Sequence, residues 1–156
     1  MKIYIRLVKG KGLYDRIIKW YTRSEYTHAE FAWPLCHKCP DNWYGAQPQG
    51  GVQIRPGNYL PWKYDLFCID VSQSEYRHIE AWLLLQKGKP YDWKAIINMG
   101  LFKHDVSSFK RWFCSELVFC AFAYFDIPVL RAPLNQRDRI TPRDLGISER
   151  MVRVKS

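Results

Sequence analysis

The first half of the chain alternates apolar and polar residues in short runs that glycines interrupt. Residues 2–8 alternate and are rich in branched and aromatic side chains, which predicts a β-strand. Gly10 and Gly12 break this pattern, and apolar residues then recur at helical spacing over 13–21. A second short strand is predicted at 28–33. We therefore expect the chain to begin with a strand, a turn, a short helix and another strand.

The next segment predicts a β-hairpin and one further strand. Two runs of strand-like composition, 43–46 and 52–55, flank the turn-forming sequence Gln-Pro-Gln-Gly-Gly at 47–51. Another strand is predicted at 65–71. Short consecutive strands joined by tight turns favour antiparallel pairing, so we expect a small antiparallel sheet.

Helical signals dominate the second half of the chain. Ser72 and Glu75 form the Ser-x-x-Glu pattern of a capping box, and Gly88 is suited to end the helix that follows. Further helices are predicted at 91–101 and at 114–125. The helix at 114–125 is apolar almost all round and is therefore expected in a core.

These elements predict an α+β fold in which a small antiparallel sheet packs against helices. A last short helix is predicted at Thr141 and Pro142, an N-cap residue followed by proline at the first helical position. With 156 residues and 47% hydrophobic residues, the chain is long enough to bury a core and too apolar to stay disordered. We expect one domain spanning residues 1–156.

The net charge predicts an anionic partner without identifying it. Lys and Arg number 24 against 15 Asp and Glu, a net charge of +9, which favours nucleic acid, anionic lipid or an acidic cell-wall polymer. The basic residues are spread along the chain, with no basic run and no nucleic-acid-binding motif. Specific nucleic-acid recognition is therefore not expected, and the charge is interpreted as an accessory property.

The sequence shows no targeting signal, and together with the cysteine usage this predicts the cytoplasm as the place of synthesis. No apolar run approaches the roughly 18 residues of a membrane span, and the N-terminus alternates like a strand. We therefore expect neither a signal peptide nor a membrane span. The five cysteines are an odd number in a chain able to form a core, which is unlike a disulfide framework.

Cys114 has the setting of a reactive thiol. It begins the predicted helix at 114–125, and the unpaired N–H groups of a helix start favour the negative charge of a thiolate. The preceding residues, Lys-Arg-Trp-Phe at 110–113, add positive charge and aromatic walls. Cys120 lies about two turns further along among apolar residues and is expected to be inert. From position alone, an inert buried Cys114 is the open alternative.

His28 is the favoured base for this thiol. A catalytic thiol needs a group to take its proton, and the ordinary pKa of histidine lies nearest the working range. His28 lies on a predicted strand, where a rigid backbone would hold the imidazole. The other histidines are His37 in a loop beside cysteines, His78 on a predicted helix and His104 in a polar connection. Exposed or structural roles are expected for these three.

Three residues are candidates for the neighbourhood of the imidazole. The hairpin turn is expected beside the His28 strand, which makes Gln47 the leading candidate to orient the ring and Gln49 the next. Glu30 shares a strand face with His28 through the two-residue period of a strand. We expect Glu30 to lie at the surface or at the rim of the pocket. At the rim, its carboxylate would contact the substrate.

At these residues the sequence resembles the circularly permuted, lecithin retinol acyltransferase-like (YiiX-like) branch of the NlpC-type papain-fold cysteine hydrolases. In that branch an early strand histidine precedes a late Cys-Ser-Glu helix start. The chain has Thr-His-Ala-Glu-Phe at 27–31 and Phe-Cys-Ser-Glu-Leu-Val at 113–118. Between them, Gly-Gly-Val at 50–52 and Gly-Lys-Pro-Tyr-Asp-Trp at 88–93 resemble the hairpin of the family and the segment after its first long helix.

The resemblance covers about residues 28–145 and implies a circularly permuted papain-like fold, with the His strand before the Cys helix. It implies a cysteine-dependent hydrolase or acyltransferase that acts on amide or ester bonds in a peptide, lipid or cell-wall substrate. Cys114 would be the nucleophile and His28 the base, with a thioester intermediate and no cofactor or metal. The backbone N–H of Cys114 or Ser115 is the expected oxyanion donor.

Several neighbouring residues are candidates for the substrate pocket. Tyr91 and Trp112 are candidates for substrate contact, although core packing is the favoured interpretation of both. Ser115 is a further substrate-binding candidate. Asp92 is expected to cap the helix that begins there.

One position departs from the pattern of the resembled family. Many relatives have Glu as the third residue near the start of the hairpin, where this chain has Tyr-Gly-Ala at 44–46. An uncharged Gln47 would orient the imidazole but would stabilise an imidazolium less. A related pattern, in which a small polar residue precedes the proline, is closer to this chain and is similar to that of bacteriophage-encoded members. This similarity raises the hypothesis of a phage origin, with virion association and virion proteins as partners.

Three other interpretations stay open. Cys36 and Cys39 supply half of a zinc site, which His28, His37 or Cys68 would have to complete through tertiary contact, and a plain loop is favoured instead. A papain-like domain without activity would use a basic, aromatic groove to bind wall polymer or a partner protein. Nucleic-acid binding depends on charge alone and predicts binding that weakens steeply with salt.

Overall fold

A six-stranded antiparallel sheet forms the centre of the computed structural model, which describes residues 1–36, 38, 41–59, 63–93 and 109–154. The strands are β1 (Lys2–Val8), β2 (His28–Trp33), β3 (Asn42–Gln47), β4 (Gly51–Pro56), β5 (Tyr64–Asp70) and β6 (Val152–Arg153). They lie in the order β4-β3-β2-β1-β5-β6, and each neighbouring pair is antiparallel. The predicted α+β class and antiparallel sheet are confirmed, whereas the circular permutation stays a prediction.

Four helices and one 3-10 turn accompany the sheet in the described residues. They are α1 (Leu13–Thr22), α2 (Gln73–Gln86), α3 (Cys114–Ala123), the 3-10 helix Leu134–Arg139 and α4 (Pro142–Gly146). The predicted helix at 91–101 falls outside the described residues from 94 onward. Within the described ranges, no helix has the length and apolar character that crossing a membrane requires.

The helix caps predicted at Ser72 and Thr141 are present, whereas the helix that Asp92 was expected to cap lies outside the described residues from 94 onward. The Ser72 hydroxyl accepts the backbone N–H of Glu75 at 3.2 Å, and the Glu75 carboxylate accepts the backbone N–H of Ser72 at 2.6 Å. Thr141 caps α4 in the same way by accepting the N–H of Asp144 at 3.3 Å. Each cap satisfies N–H groups that have no partner within the helix, which explains why the helices begin where the sequence predicts.

Helix α3 lies in the core against the sheet. All its residues from Cys114 to Phe122 are buried, and Phe122 packs against Phe31 of β2 with ring centroids 5.9 Å apart. A helix buried on all sides has little freedom to shift because protein interiors are close-packed. The sheet and this helix therefore hold the start of α3 and the start of β2 in a fixed relation.

Gly51 joins the hairpin to the segment that follows α2. The backbone N–H of Val52 donates to Lys89 O at 2.9 Å, and the N–H of Gly88 donates to Val52 O at 2.8 Å. A Cβ on Gly51 would lie 2.2 Å from the Lys89 carbonyl oxygen, so only glycine permits this approach. The two glycine-containing motifs of the sequence are thus directly hydrogen-bonded to each other.

Replacing Gly51 by alanine is predicted to destabilise the protein more than the same change at Gly88. Both residues have positive φ, 69° and 84°, but an added Cβ meets backbone only at Gly51 and no atom within 4 Å at Gly88. Chemical denaturation should show a loss of about 1 kcal/mol for Gly88→Ala and at least twice as much for Gly51→Ala. Equal losses would contradict the close backbone approach at Gly51.

Candidate active site

Cys114 and His28 meet where the start of α3 lies beside the start of β2. The two side chains are close enough for the charge of Cys114 to raise the pKa of His28, and both residues are buried. The two residues are far apart in the sequence, and the sheet with the helix packed on it brings them together. The structure therefore places the predicted nucleophile next to the predicted base.

The first turn of α3 is held by a buried ion pair. The Glu116 carboxylate accepts the backbone N–H of Phe113 at 3.3 Å and the Nε–H of Arg137 at 3.0 Å. Burial raises the pKa of Glu116 to about 7, although the Phe113 N–H and the Arg137 charge act in the opposite direction. These contacts fix the backbone on both sides of Cys114, which sets where the thiol points.

Glu30 lies directly behind His28. Its Oε1 is 3.3 Å from His28 Nε2, and its Oε2 accepts the Arg6 Nε–H at 2.8 Å, with Arg6 Nη2 at 2.6 Å. The side chain of Glu30 is 0% exposed. The expected surface or rim position and the substrate-contact role are therefore corrected, because both carboxylate oxygens face the protein interior.

Gly45 makes room for the Glu30 side chain. A Cβ on Gly45 would lie 3.0 Å from Glu30 Cγ, so any larger residue there would press on the carboxylate stem. Gly45 belongs to the Tyr-Gly-Ala segment where the resembled family often has Glu. In this chain the carboxylate near the imidazole comes instead from Glu30 on the neighbouring strand.

Gln47 reaches the imidazole, as the hairpin predicts. Its Nε2 lies 2.9 Å from His28 Nε2 and also donates to Glu30 Oε1 and to the Tyr59 hydroxyl. An amide N–H cannot donate to a protonated ring nitrogen, so the acceptor for His28 Nε2–H is the Glu30 carboxylate. Gln47 thus contacts both the imidazole and the carboxylate behind it. Gln49, the next candidate, is exposed in the hairpin turn.

The charges of this site favour an imidazolium. Burial alone would lower the pKa of His28, but the negative charges of Cys114 and Glu30 outweigh it and raise the pKa to about 10. For Glu30, burial acts to raise the pKa, whereas His28, Arg6 and the Tyr59 hydrogen bond lower it to about 2. Both directions favour a charged imidazole beside a charged carboxylate.

Arg6 and Tyr59 complete the site and were not predicted. The Arg6 guanidinium lies 4.0 Å from the centroid of the Trp43 ring, and the Tyr59 hydroxyl donates to Glu30 Oε1. In an alternating strand, an arginine between apolar residues normally faces solvent. The period of β1 puts Arg6 opposite the apolar face, but no local pattern shows that other residues cover it.

Tyr91 lies beside the thiol. Its phenol is close enough to Cys114 for that charge, together with burial, to raise the pKa of Tyr91, and the residue is mostly buried. Backbone hydrogen bonds from Asp92 N–H to Trp112 O at 3.0 Å and from Trp112 N–H to Pro90 O at 3.1 Å hold this segment next to the start of α3. The candidate role of Tyr91 in lining the pocket is consistent with this position.

Two other pocket candidates are placed elsewhere. Trp112 is fully buried, packs edge-on against Trp82 at 5.4 Å and donates its Nε1–H to Gln86 at 3.2 Å, which makes it a core residue. The Ser115 hydroxyl donates to Ile140 O at 2.6 Å and is buried. Substrate contact by the Trp112 and Ser115 side chains is therefore corrected to core packing and helix anchoring.

The remaining histidines and cysteines give no second site in the described residues. His78 stacks on Phe125 with ring centroids 5.6 Å apart. Cys120 is buried, and burial raises its pKa, as expected of an inert thiol. Cys39, His37 and His104 lie outside the described residues. Among the residues described, no three His, Cys, Asp or Glu side chains are grouped to hold a metal ion.

Glu30→Gln is predicted to lower the pKa of His28. The pKa of about 10 exceeds the ordinary 6.5, so the stabilisation from protonated His28 is complete below 6.5 and is lost as pH rises towards 10. Without the Glu30 charge, burial opposes protonation more effectively. An NMR titration of the imidazole protons should show the midpoint moving to lower pH in Glu30→Gln and not in the exposed control Glu149→Gln. An unchanged midpoint would show that Glu30 does not hold the imidazolium.

Comparison with known proteins supports the fold. No protein-family model matches the sequence, and no curated protein matches it either. The structure is similar to the crystal structure of the metalloprotein YiiX from Escherichia coli O157:H7, with a TM-score of 0.68 and 17% identity over 100% of this chain and 97% of that chain. At this level of sequence identity, the likeness shows a shared fold. The fold of this chain is therefore consistent with a papain-like fold.

Proposed function

We propose that this chain is a cysteine-dependent hydrolase or acyltransferase that acts on amide or ester bonds. The observation that carries the proposal is the buried His28 imidazole, whose pKa the charge of Cys114 raises and whose Nε2 lies 3.3 Å from Glu30 Oε1. A thiol at a helix start, a histidine and a fixed carboxylate are the groups that acyl transfer through a thioester requires.

The reaction proceeds in two steps. The Cys114 thiolate attacks the substrate carbonyl carbon, and the bond to the leaving group breaks as the His28 imidazolium gives its proton to the departing oxygen or nitrogen. The acyl group is then a thioester on Sγ. In the second step the neutral His28 takes a proton from water or an acceptor hydroxyl as its oxygen attacks the thioester carbon. The C–S bond then breaks, the acid or ester leaves, and the thiolate and imidazolium are restored. Glu30 stabilises the imidazolium through both steps.

Negative charge on the substrate oxygen needs donors next to Cys114. The first N–H groups of α3, those of Cys114 and Ser115, have no partner within the helix and point out of its start. Tyr91 supplies a further donor: burial raises its pKa well above the ordinary value, with the Cys114 charge acting in the same direction. Its hydroxyl therefore stays protonated and can donate to the oxyanion.

The narrower parts of the proposal rest on sequence motifs. These are membership of the NlpC superfamily, a permuted chain order, cell-wall peptide as substrate, a phage origin and association with virion proteins. YiiX, the structural neighbour, is described as a metalloprotein. In the described part of this chain, no three potential ligand side chains group together.

One observation favours a second candidate function. The Cys114 side chain has no exposed surface, so a substrate reaches Sγ only if a covering side chain moves aside. A papain-like domain that binds wall polymer or a partner protein without catalysis would have no need for an accessible thiol. Reactivity of Cys114 in solution separates the two functions.

Cys114 is predicted to react with iodoacetamide faster than the buried Cys120, and this reactivity is predicted to depend on His28. Loss of the imidazolium removes the charge that favours the thiolate, so His28→Ala should slow labelling of Cys114 by at least about tenfold. Mass mapping after timed labelling gives the rate at each cysteine. The exposed Cys36 is an internal reference whose rate should not change.

Tyr91→Phe is the control for the oxyanion role. Alkylation forms no oxyanion, so labelling of Cys114 should persist in this variant, while hydrolysis of a nitrophenyl ester falls by about a hundredfold. If Cys114 labels no faster than Cys120 in the wild type, or labels equally fast in His28→Ala, the catalytic proposal fails and the binding-module function is favoured.

A further inference from the structure

Helix α1 exposes an apolar stripe. Leu13, Ile17, Trp20 and Tyr21 are 72%, 48%, 80% and 46% exposed. Their spacing of four, seven and eight residues from Leu13 puts them on one face of the helix. These four residues are here called the α1 stripe. Among the described residues, no aromatic ring packs against Trp20 or Tyr21. Single exposed apolar residues are ordinary, but four on one helical face indicate a binding surface.

The opposite face of α1 is firmly attached to the protein. Ile18 is part of the hydrophobic core, and the buried Thr22 hydroxyl donates to Ile18 O at 2.8 Å. Arg143 donates to Thr22 O at 3.2 Å, and the Asp15 carboxylate accepts the N–H of Gly12 at 2.7 Å. The α1 stripe is therefore presented on an anchored helix and is not a frayed end.

Positive charge lies along one side of the α1 stripe. Arg16 is one turn before Trp20 and Arg23 is one turn after it, and both arginines are exposed. Lys19 adds a third positive charge to the same flank. Within the described chain none of the three forms an ion pair. The one acidic residue of α1, Asp15, is used at the helix start, so the exposed flank is wholly basic.

We propose that the α1 stripe docks this protein on the surface of an anionic phospholipid bilayer. Leu13, Ile17 and the aromatic pair would enter the boundary between headgroups and acyl chains, where tryptophan and tyrosine are favoured. Arg16 and Arg23 would contact lipid phosphates. A bilayer is favoured over a protein partner because the stripe is convex and its basic flank needs only a planar anionic surface, to which the net charge of +9 is complementary.

Docking would bring the Cys114 site close to the bilayer. Asp15 at the start of α1 is near enough to Tyr91 for its charge to raise the pKa of the phenol, and the charge of Cys114 acts on the same phenol. The membrane interaction does not depend on whether Cys114 is a nucleophile. With only ten residues in α1, binding is expected to be reversible and to weaken with salt, since much of it comes from charge.

A vesicle flotation assay with the full chain tests the proposal. Vesicles of phosphatidylcholine alone are compared with vesicles that also contain phosphatidylglycerol. The wild type should float with the anionic vesicles at least about tenfold more than with the neutral ones. Leu13→Ser combined with Trp20→Ser should reduce flotation by at least about tenfold, because the buried apolar area is lost.

Matched controls come from α2. Leu85 is 76% exposed, close to Leu13, and Arg77 is exposed like Arg16. Leu85→Ser should float as the wild type does, and Arg77→Glu should float better than Arg16→Glu. Thermal unfolding of each variant checks that it is folded.

Three results would overturn the proposal. The first is a wild type that does not float with anionic vesicles. The second is a folded Leu13→Ser, Trp20→Ser variant that floats undiminished. The third is wild-type protein that binds acidic polypeptide but no vesicle, which would assign the α1 stripe to a protein partner instead.

Discussion

The buried ion pair between Arg6 and Glu30 is the interaction on which the rest of the candidate site depends. The two residues face each other across β1 and β2 in direct register, and neither is exposed to a significant extent. A carboxylate buried alone would take up a proton instead of staying charged. Because Arg6 is permanently charged and packs against Trp43, Glu30 keeps its negative charge in the interior.

That fixed negative charge is one of the two that raise the pKa of His28, the larger effect coming from Cys114. Burial by itself would favour a neutral imidazole, and Glu30 together with Cys114 reverses this preference. The Glu30 carboxylate lies 3.3 Å from His28 Nε2 and favours the charged form of the imidazole. Replacing a buried ion pair by apolar residues is often neutral for stability. We therefore interpret Arg6 and Glu30 as parts of the site and not as a device for stabilising the fold.

Much of this arrangement could be predicted from the sequence, because it follows from local patterns. Alternation of apolar and polar residues predicted that β2 begins at His28. The Gly-Gly turn predicted that Gln47 lies beside His28, and the apolar run predicted that Cys114 begins a helix. Glu30 was assigned to the correct strand face by the same alternation. These predictions use spacings of a few residues, which are the spacings that secondary structure determines.

The remainder of the site depends on which strands pair and on which residues cover the sheet. Arg6 and Glu30 are 24 residues apart, and nothing near either residue shows that β1 and β2 pair in that register. The outer face of a strand is usually solvated, so a covered arginine and glutamate were not expected there.

The central claim is that Cys114 carries the acyl group during turnover, with His28 as its partner. The most direct test is to quench the protein with acid while it hydrolyses nitrophenyl acetate. Mass spectrometry of the peptides of the protein then locates the acetyl group. We expect an acetyl group on Cys114 that hydroxylamine removes, and none on that residue in His28→Ala. Ester hydrolysis that continues undiminished in Cys114→Ser, or an acetyl group found only on other residues, would contradict the claim.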